Sequence, residues 1–262
     1  MEYQTIVYEK KEEKAWIYFN RPEEMNSLSK MMVNELLLVL EEVERDDSVR
    51  VVILSGKGRA FCAGADLKEL LTDLDKAPDG HKGLLDFAGD LFEKLNYLSK
   101  PLIAVLNGVT LAGGLEIAMT ADIVIASEKA KIGDAHANFG VLPGGGGAVR
   151  LPRKIGINRA KYLLFTGEFI TAKEMKEYGI VNEVVHAEKL LEATQELADK
   201  IASKSPLVLR EMKKLVRDGV EQPLNIALKQ ELLTLKNHTQ SYDFHEGLAA
   251  FTEKRKPKFK GY

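Results

Sequence analysis

Short apolar runs alternate with amphipathic stretches through the first half of the chain. Residues 16–19, 51–54, 102–105 and 123–125 are too short for helices and rich in β-branched or aromatic side chains, so each predicts a buried strand. Between them Met32, Leu36, Val39, Leu40 and Val43 recur at spacings of three or four, as do Leu84, Ala88, Leu91, Leu95 and Leu98. That spacing gathers apolar side chains on one stripe of a helix and predicts two helices laid over a sheet. Strands feeding helices in this order predict a layered α/β arrangement. After about Ala148 the strand signals thin out, and apart from residues 180–185 the rest predicts a succession of helices: 171–178 with Gly179 as a stop, 188–203, 207–218, 224–236 and 244–255. Pro206 and Pro223 are expected in first helical turns, which tolerate a missing N–H. A boundary near Lys204 divides the chain into a mixed core, 1–204, and a helical region, 205–262.

Composition narrows the class. With 262 residues, 45% hydrophobic and 29% charged, the chain reads as one folding unit with an extension and a packed core. Lys+Arg 37 against Asp+Glu 39 leaves a net charge of -2, so no global positive field exists to hold a polyanion, and nucleic acid is not an expected partner. The single cysteine, Cys62, excludes an intramolecular disulfide and a multi-cysteine metal site. No run approaches the roughly 20 apolar residues of a membrane span, and the first residues lack the basic-then-apolar pattern of a secretory signal. A cytoplasmic protein, with no membrane partner and no metal, is the expectation.

Candidate chemistry gathers at three glycine-rich places: residues 61–66, residues 107–116 and residues 142–147. Taken singly each reads as a tight turn. The run 144–147 is no P-loop, because no Gly-Lys-Ser/Thr follows, and Gly-x-Gly-x-x-Gly occurs nowhere in the chain. Gly113-Gly114 stands directly before Leu115-Glu116-Ile117-Ala118-Met119, a good helix start, so free N–H groups are expected there. Should the N–H of Ala65 point to the same place, the pair would form an oxyanion hole for a carbonyl oxygen gaining negative charge. Glu116, three residues after Gly113, falls on the same helix face, either as a group facing bound substrate or as a helix-start acid favoured by the dipole.

Asn20-Arg21-Pro22 with Asn26-Ser27-Leu28, residues 61–67, Asn107-Gly108 with Gly113-Gly114-Leu115-Glu116, and Leu142-Pro143-Gly144-Gly145-Gly146 resemble, in order and spacing, the enoyl-CoA hydratase/isomerase (crotonase) family. The likeness runs from about Tyr3 to the Glu253-Lys254-Arg255-Lys256 tail. The resemblance implies a crotonase-like α/β spiral of repeated ββα units, a C-terminal helical region that assembles homotrimers or paired trimers, and an acyl-CoA thioester substrate, coenzyme A entering only as part of it. It implies that Ala65 and Gly113 are the two backbone donors to the thioester oxygen and that Glu116 is the first catalytic glutamate. Ala63, Asp66, Leu67 and Lys68 match positions that wrap pantetheine and adenine; Phe251 and Lys254 match tail positions that reach coenzyme A, in some members across a subunit boundary. Glu23 stands where some members carry a lysine near the coenzyme phosphates.

One departure matters more. His136 stands where typical hydratases carry a second glutamate, and Asp134 is two residues away. His136 is open to two readings, a second proton-transfer group titrating near neutrality or a structural histidine lining a pocket. His81, His186, His238 and His245 sit in polar contexts and receive no role. The resemblance implies an acyl-CoA lyase that adds water to a 2-enoyl-CoA or removes it from a 3-hydroxyacyl-CoA. An enoyl-CoA isomerase, other thioester chemistry on the same fold, and a non-catalytic acyl-CoA-binding protein are the alternatives.

Overall fold

The computed structural model describes residues 3–76 and 83–262; His81 lies outside them. Among the described residues the strands form two sheets. The larger has the spatial order β1 (Ile6–Lys11), β2 (Lys14–Phe19), β3 (Val51–Gly56), β5 (Leu102–Leu106), β7 (Ile123–Ser127) and β10 (Glu183–Val185). The smaller runs β4 (Ala60–Cys62), β6 (Val109–Leu111), β8 (Lys131–Gly133) and β9 (Ile170–Thr171). The four strands predicted from apolar runs are the adjacent parallel strands β2, β3, β5 and β7. Their unbroken apolar sequence has a plain cause, since a parallel sheet is covered on both faces. Ile17, Phe19, Val52, Leu54 and Ala104 point into the main core, whereas Trp16, Ile53, Ile103 and Val105 point into a second cluster.

The helices are α1 (Lys30–Arg45), α2 (Leu67–Lys76), α3 (Leu84–Tyr97), α4 (Gly113–Thr120), α5 (Gly147–Ile155), α6 (Ile157–Thr166), α7 (Ala172–Tyr178), α8 (Leu190–Ala202), α9 (Pro206–Gly219), α10 (Leu224–His238) and α11 (Tyr242–Thr252). Every residue of the predicted α1 stripe, Met32 through Val43, is buried. Ser29 caps that helix by accepting from Met32 N at 3.1 Å. α1 packs on α3, where Leu91 and Leu95 are buried; truncating either to alanine costs about 2–5 kcal/mol. α8 covers the other face of the sheet through Leu190, Ala198 and Ala202. Thr171 and Glu174 form a capping box at α7, and Gly179 ends that helix at φ 94°.

The chain runs β3 to β4 to α2, β5 to β6 to α4, then β7 to β8 and onward to α5. Each turn gives one strand to each sheet, so the orders 3-5-7 and 4-6-8 advance together. This is the spiral of ββα units, followed by a C-terminal helical region. Several details differ from expectation, among them β1, α5 and α6, which no predicted element covered. The smaller sheet went unread because its strands have only two or three residues and carry too little periodicity to register. Pro223 is the N-cap of α10 rather than part of its first turn, while Pro206 does open α9. Gly113 and Gly114 do not precede α4 but form its first two residues. Among the described residues no helix is long and apolar enough to cross a membrane.

Candidate active site

The spiral brings the ends of β4 and β6 side by side, and with them two backbone amides. Leu28 N donates to Gly64 O at 2.7 Å and Asp66 N donates to Leu28 O at 2.9 Å, a parallel bridge centred on Ala65. Because the backbone groups of an extended chain alternate in direction, the N–H of Ala65 itself points away from Leu28. Gly113 opens α4, so its N–H has no carbonyl one turn behind it inside the helix. A Cβ built on Gly113 would lie 3.7 Å from Ala65 N and one on Gly64 would lie 3.3 Å from Gly113 N, which places the two amides together. The turn into α4 is held at Ala112 with φ 47° and ψ -118°, a conformation costly for any residue with a Cβ.

The amides face a cavity of about 270 Å³ whose lining includes Ala63, Ala65, Leu67, Gly113, Glu116 and His136. Its other walls are apolar, among them Leu28, Leu70, Leu84 and Phe92, with the exposed Phe139 and Leu142 at its mouth. Glu116 and His136 are the two ionisable groups in that lining.

Glu116 sits in the first turn of α4 and is 2% exposed. Its Oε1 accepts from Gly145 N at 2.8 Å and from Gly147 N at 2.7 Å. These donors exist only because the glycine run passes so close: a Cβ on Gly147 would stand 2.9 Å from Asp134 Oδ2 and 3.2 Å from Glu116 Oε1. Burial raises the Glu116 pKa above its ordinary value; the two amides and His136 oppose that shift without cancelling it. With Oε1 occupied, Oε2 is left toward His136, whose Nε2 lies 3.9 Å away.

His136 begins a 3-10 turn, His136–Phe139, reached through Ala135 at φ 63°. That left-handed residue folds the chain back, so His136 Nδ1 meets Asp134 Oδ1 at 3.0 Å. Asp134 is 1% exposed, and among the described residues no donor reaches its Oδ2. Burial alone would push the His136 pKa down, but the hydrogen bond to Asp134 and the charges of Asp134 and Glu116 more than offset it and raise the pKa. Since Nδ1–H donates to Asp134, Nε2 is the nitrogen presented to the cavity.

Other predicted residues are placed differently. Lys68 is exposed on α2 and outside the cavity lining. The Asp66 carboxylate pairs with Arg21 Nη2 at 2.9 Å and accepts from Glu69 N at 3.3 Å, so it caps α2 beside the mouth. Burial pushes its pKa up, yet the Arg21 guanidinium holds it below the usual range. Phe251, 86% exposed, and Lys254 lie at the end of α11 and line no part of this cavity. Asp134, Phe92 and the amides of Gly145 and Gly147 received no role from sequence reasoning. The sequence signal for Asp134 was present, an acid two residues before the odd histidine, but reading it needs the left-handed Ala135 between them.

The family model for enoyl-CoA hydratase/isomerase matches residues 9–262. The chain belongs to this family. It is 36% identical over 257 residues to the short-chain-enoyl-CoA hydratase of Clostridium acetobutylicum, covering 98% of this chain and 97% of that one. To the 2,3-dehydroadipyl-CoA hydratase of Escherichia coli it is 38% identical over 244 residues, 92% of this chain and 93% of the relative. The crystal structure of an enoyl-CoA hydratase from Bacillus anthracis superposes with a TM-score of 0.93 at 38% identity, covering 99% of this chain and 100% of the other. A crotonase-fold enzyme with hydratase/isomerase chemistry on acyl-CoA-type substrates follows from these likenesses.

Proposed function

We propose that this crotonase-fold protein is an acyl-CoA lyase that adds water across the Cα=Cβ bond of a 2-enoyl-CoA and catalyses the reverse dehydration. The observation that carries this reading is the pair Glu116 Oε2 and His136 Nε2, 3.9 Å apart in the lining of one cavity with the Ala65 and Gly113 amides. A water at ordinary hydrogen-bond lengths from both atoms fits across that gap. Glu116 takes a proton from the water as its oxygen bonds to Cβ. The electron pair of the double bond moves onto the thioester oxygen, where the two N–H groups stabilise it. Protonated His136 then delivers its Nε2 proton to Cα, the carbonyl reforms, and the proton on Glu116 returns to His136 to close the cycle.

Asp134 makes this economical. A site with two glutamates needs one of them protonated to serve as acid, whereas an Asp134 carboxylate with a His136 imidazolium is a pair of zero net charge that presents one acidic proton at Nε2. The pair is thus electrically equivalent to the neutral carboxylic acid it replaces. The orphaned Asp134 Oδ2 favours the same state, because a half-satisfied buried carboxylate gains most from an adjacent cation.

In this reading Ala63 and Leu67, at the cavity wall, meet the pantetheine arm, and Asp66 and Lys68 stand toward the nucleotide end. Phe251 and Lys254 act from a neighbouring subunit of a homotrimer or of paired trimers. The region 205–262 supports self-association: α9 and α10 bury none of their residues, and Val216, Val220 and Leu224 are 69%, 77% and 74% exposed. The decisive measurement is the product mass from purified protein and crotonyl-CoA. A gain of one water supports hydration. An unchanged mass with a moved double bond indicates isomerisation, and thioester binding without any product indicates a binding protein.

A further inference from the structure

We propose that Phe92 is the specificity-determining residue that closes the far end of the acyl cavity and confines the protein to short acyl chains. The inference rests on the reading that an acyl-CoA thioester occupies this cavity. Behind the cavity lies a larger open groove of about 1370 Å³ between α3, α5 and α9. Among the described residues four line both spaces: Gly89, Phe92, Gly144 and Gly145. Three of them are glycines, so among the described residues that line both spaces Phe92 alone contributes a side chain. It is 7% exposed and wedged against the glycine run, where a Cβ added at Gly145 would come within 2.2 Å of the ring. The ring stands where it does because Gly145 lets it, and Gly145 is in turn held by the bond from its N–H to Glu116. Gly145 thus touches both the wall that ends the acyl pocket and the base that starts the chemistry, a base that Gly147 also holds.

Past the ring the groove offers apolar surface from Met119, Val149 and Met212, and one turn along α3 Asn96 accepts from Arg150 Nη1 at 3.0 Å. A saturated chain that passed the neck would find cover there. While Phe92 is present, a growing chain must turn back toward the mouth and gains little. Each methylene that does find apolar cover is worth about fourfold in affinity.

The experiment is calorimetry of the full-length protein with butyryl-, octanoyl- and dodecanoyl-CoA, saturated thioesters that bind without reacting, alongside turnover of crotonyl-CoA. For the natural sequence, affinity is expected to stop rising, or to fall, between butyryl and octanoyl. In Phe92→Ala the octanoyl-to-butyryl affinity ratio should rise at least tenfold, with Phe92→Leu, which keeps most of the packing, part-way between. A wild-type affinity that climbs through dodecanoyl, or a ratio unmoved in whichever of the two variants is folded, overturns the proposal. Length-dependent binding without hydration of crotonyl-CoA defeats the reaction assigned above while leaving Phe92 in its role. Failure of all three thioesters to bind overturns the ligand on which both depend.

Discussion

The two walls of the site are built from different materials. On one, Ala65 and Gly113 contribute only N–H groups, aimed by a strand bridge and a helix start; on the other, Glu116, His136 and Asp134 contribute side chains whose charges depend on one another. The backbone wall has no titratable part, so its strength is set by geometry and is indifferent to pH. In the function proposed above the side-chain wall is the one a single substitution retunes, and His136 is that position. A fold that keeps its dipoles in the backbone is free to vary the acid and base opposite them, because charge stabilisation survives the exchange.

That contrast can be broken from either side. The largest effect is expected from Glu116→Gln, nearly the same size but unable to accept a proton, which should lower turnover by roughly 10²–10⁴ with a smaller change in thioester affinity. Full activity in this variant would make Glu116 a structural acid. In the backbone pair Gly113→Pro removes the N–H at the first position of α4, and turnover should fall by about 10²–10³ at every pH alike. A pH-dependent loss there would mean that the walls are not separable.

His136→Ala should lose on the order of 10²-fold in turnover while still binding saturated thioesters, and His136→Glu should restore an ordinary two-carboxylate hydratase. Retained turnover in the alanine variant would return His136 to a structural role. The pH profile sharpens the point. Glu116 must be ionised to act and its pKa is raised by burial, so the acid limb should lie above the ordinary carboxylate value of 4.5. His136 must be protonated in the hydration direction; with burial outweighed by the Asp134 bond and the Asp134 and Glu116 charges, the alkaline limb should lie above 6.5. The smallest effect belongs to Asp134→Asn, which keeps an acceptor for Nδ1 but removes the charge. Turnover at its best pH should drop about tenfold or less, and the alkaline limb should move to lower pH because the imidazolium has lost a neighbouring anion. A limb that stays in place would show that Asp134 does not set the proton affinity of His136.

Much of this molecule was legible in its sequence where the signal is local or repeated. The strands around Ile17, Ile53, Ala104 and Val124 declared themselves because both of their faces are buried, and α1 did so because five stripe residues serve one interface. Glycine spacing and a helix start marked the backbone around Gly113, and the resemblance to the enoyl-CoA hydratase/isomerase family named Ala65, Gly113 and Glu116 as a constellation. Asp66 and Arg21 illustrate the opposite case: side chains within recognisable motifs proved to be bonded to each other, an ion pair that spacing in sequence does not encode.

Hydrophobic periodicity and glycine placement determined the layered spiral and the backbone turns at 61–66, 107–116 and 142–147, since each acts through the conformation of a few neighbouring residues; the histidine at position 136 was visible as a departure from the family pattern. Only the tertiary structure decided that Ala135 is left-handed and lays His136 on Asp134, that Gly145 and Gly147 come from 29 and 31 residues away to hold Glu116 Oε1, and that Phe92 lines both the cavity and the groove. Contacts of that kind depend on where whole turns of the spiral come to rest against one another. Their cause is the packing of two sheets and their helices into one core, a sum over many residues that no short stretch of sequence carries.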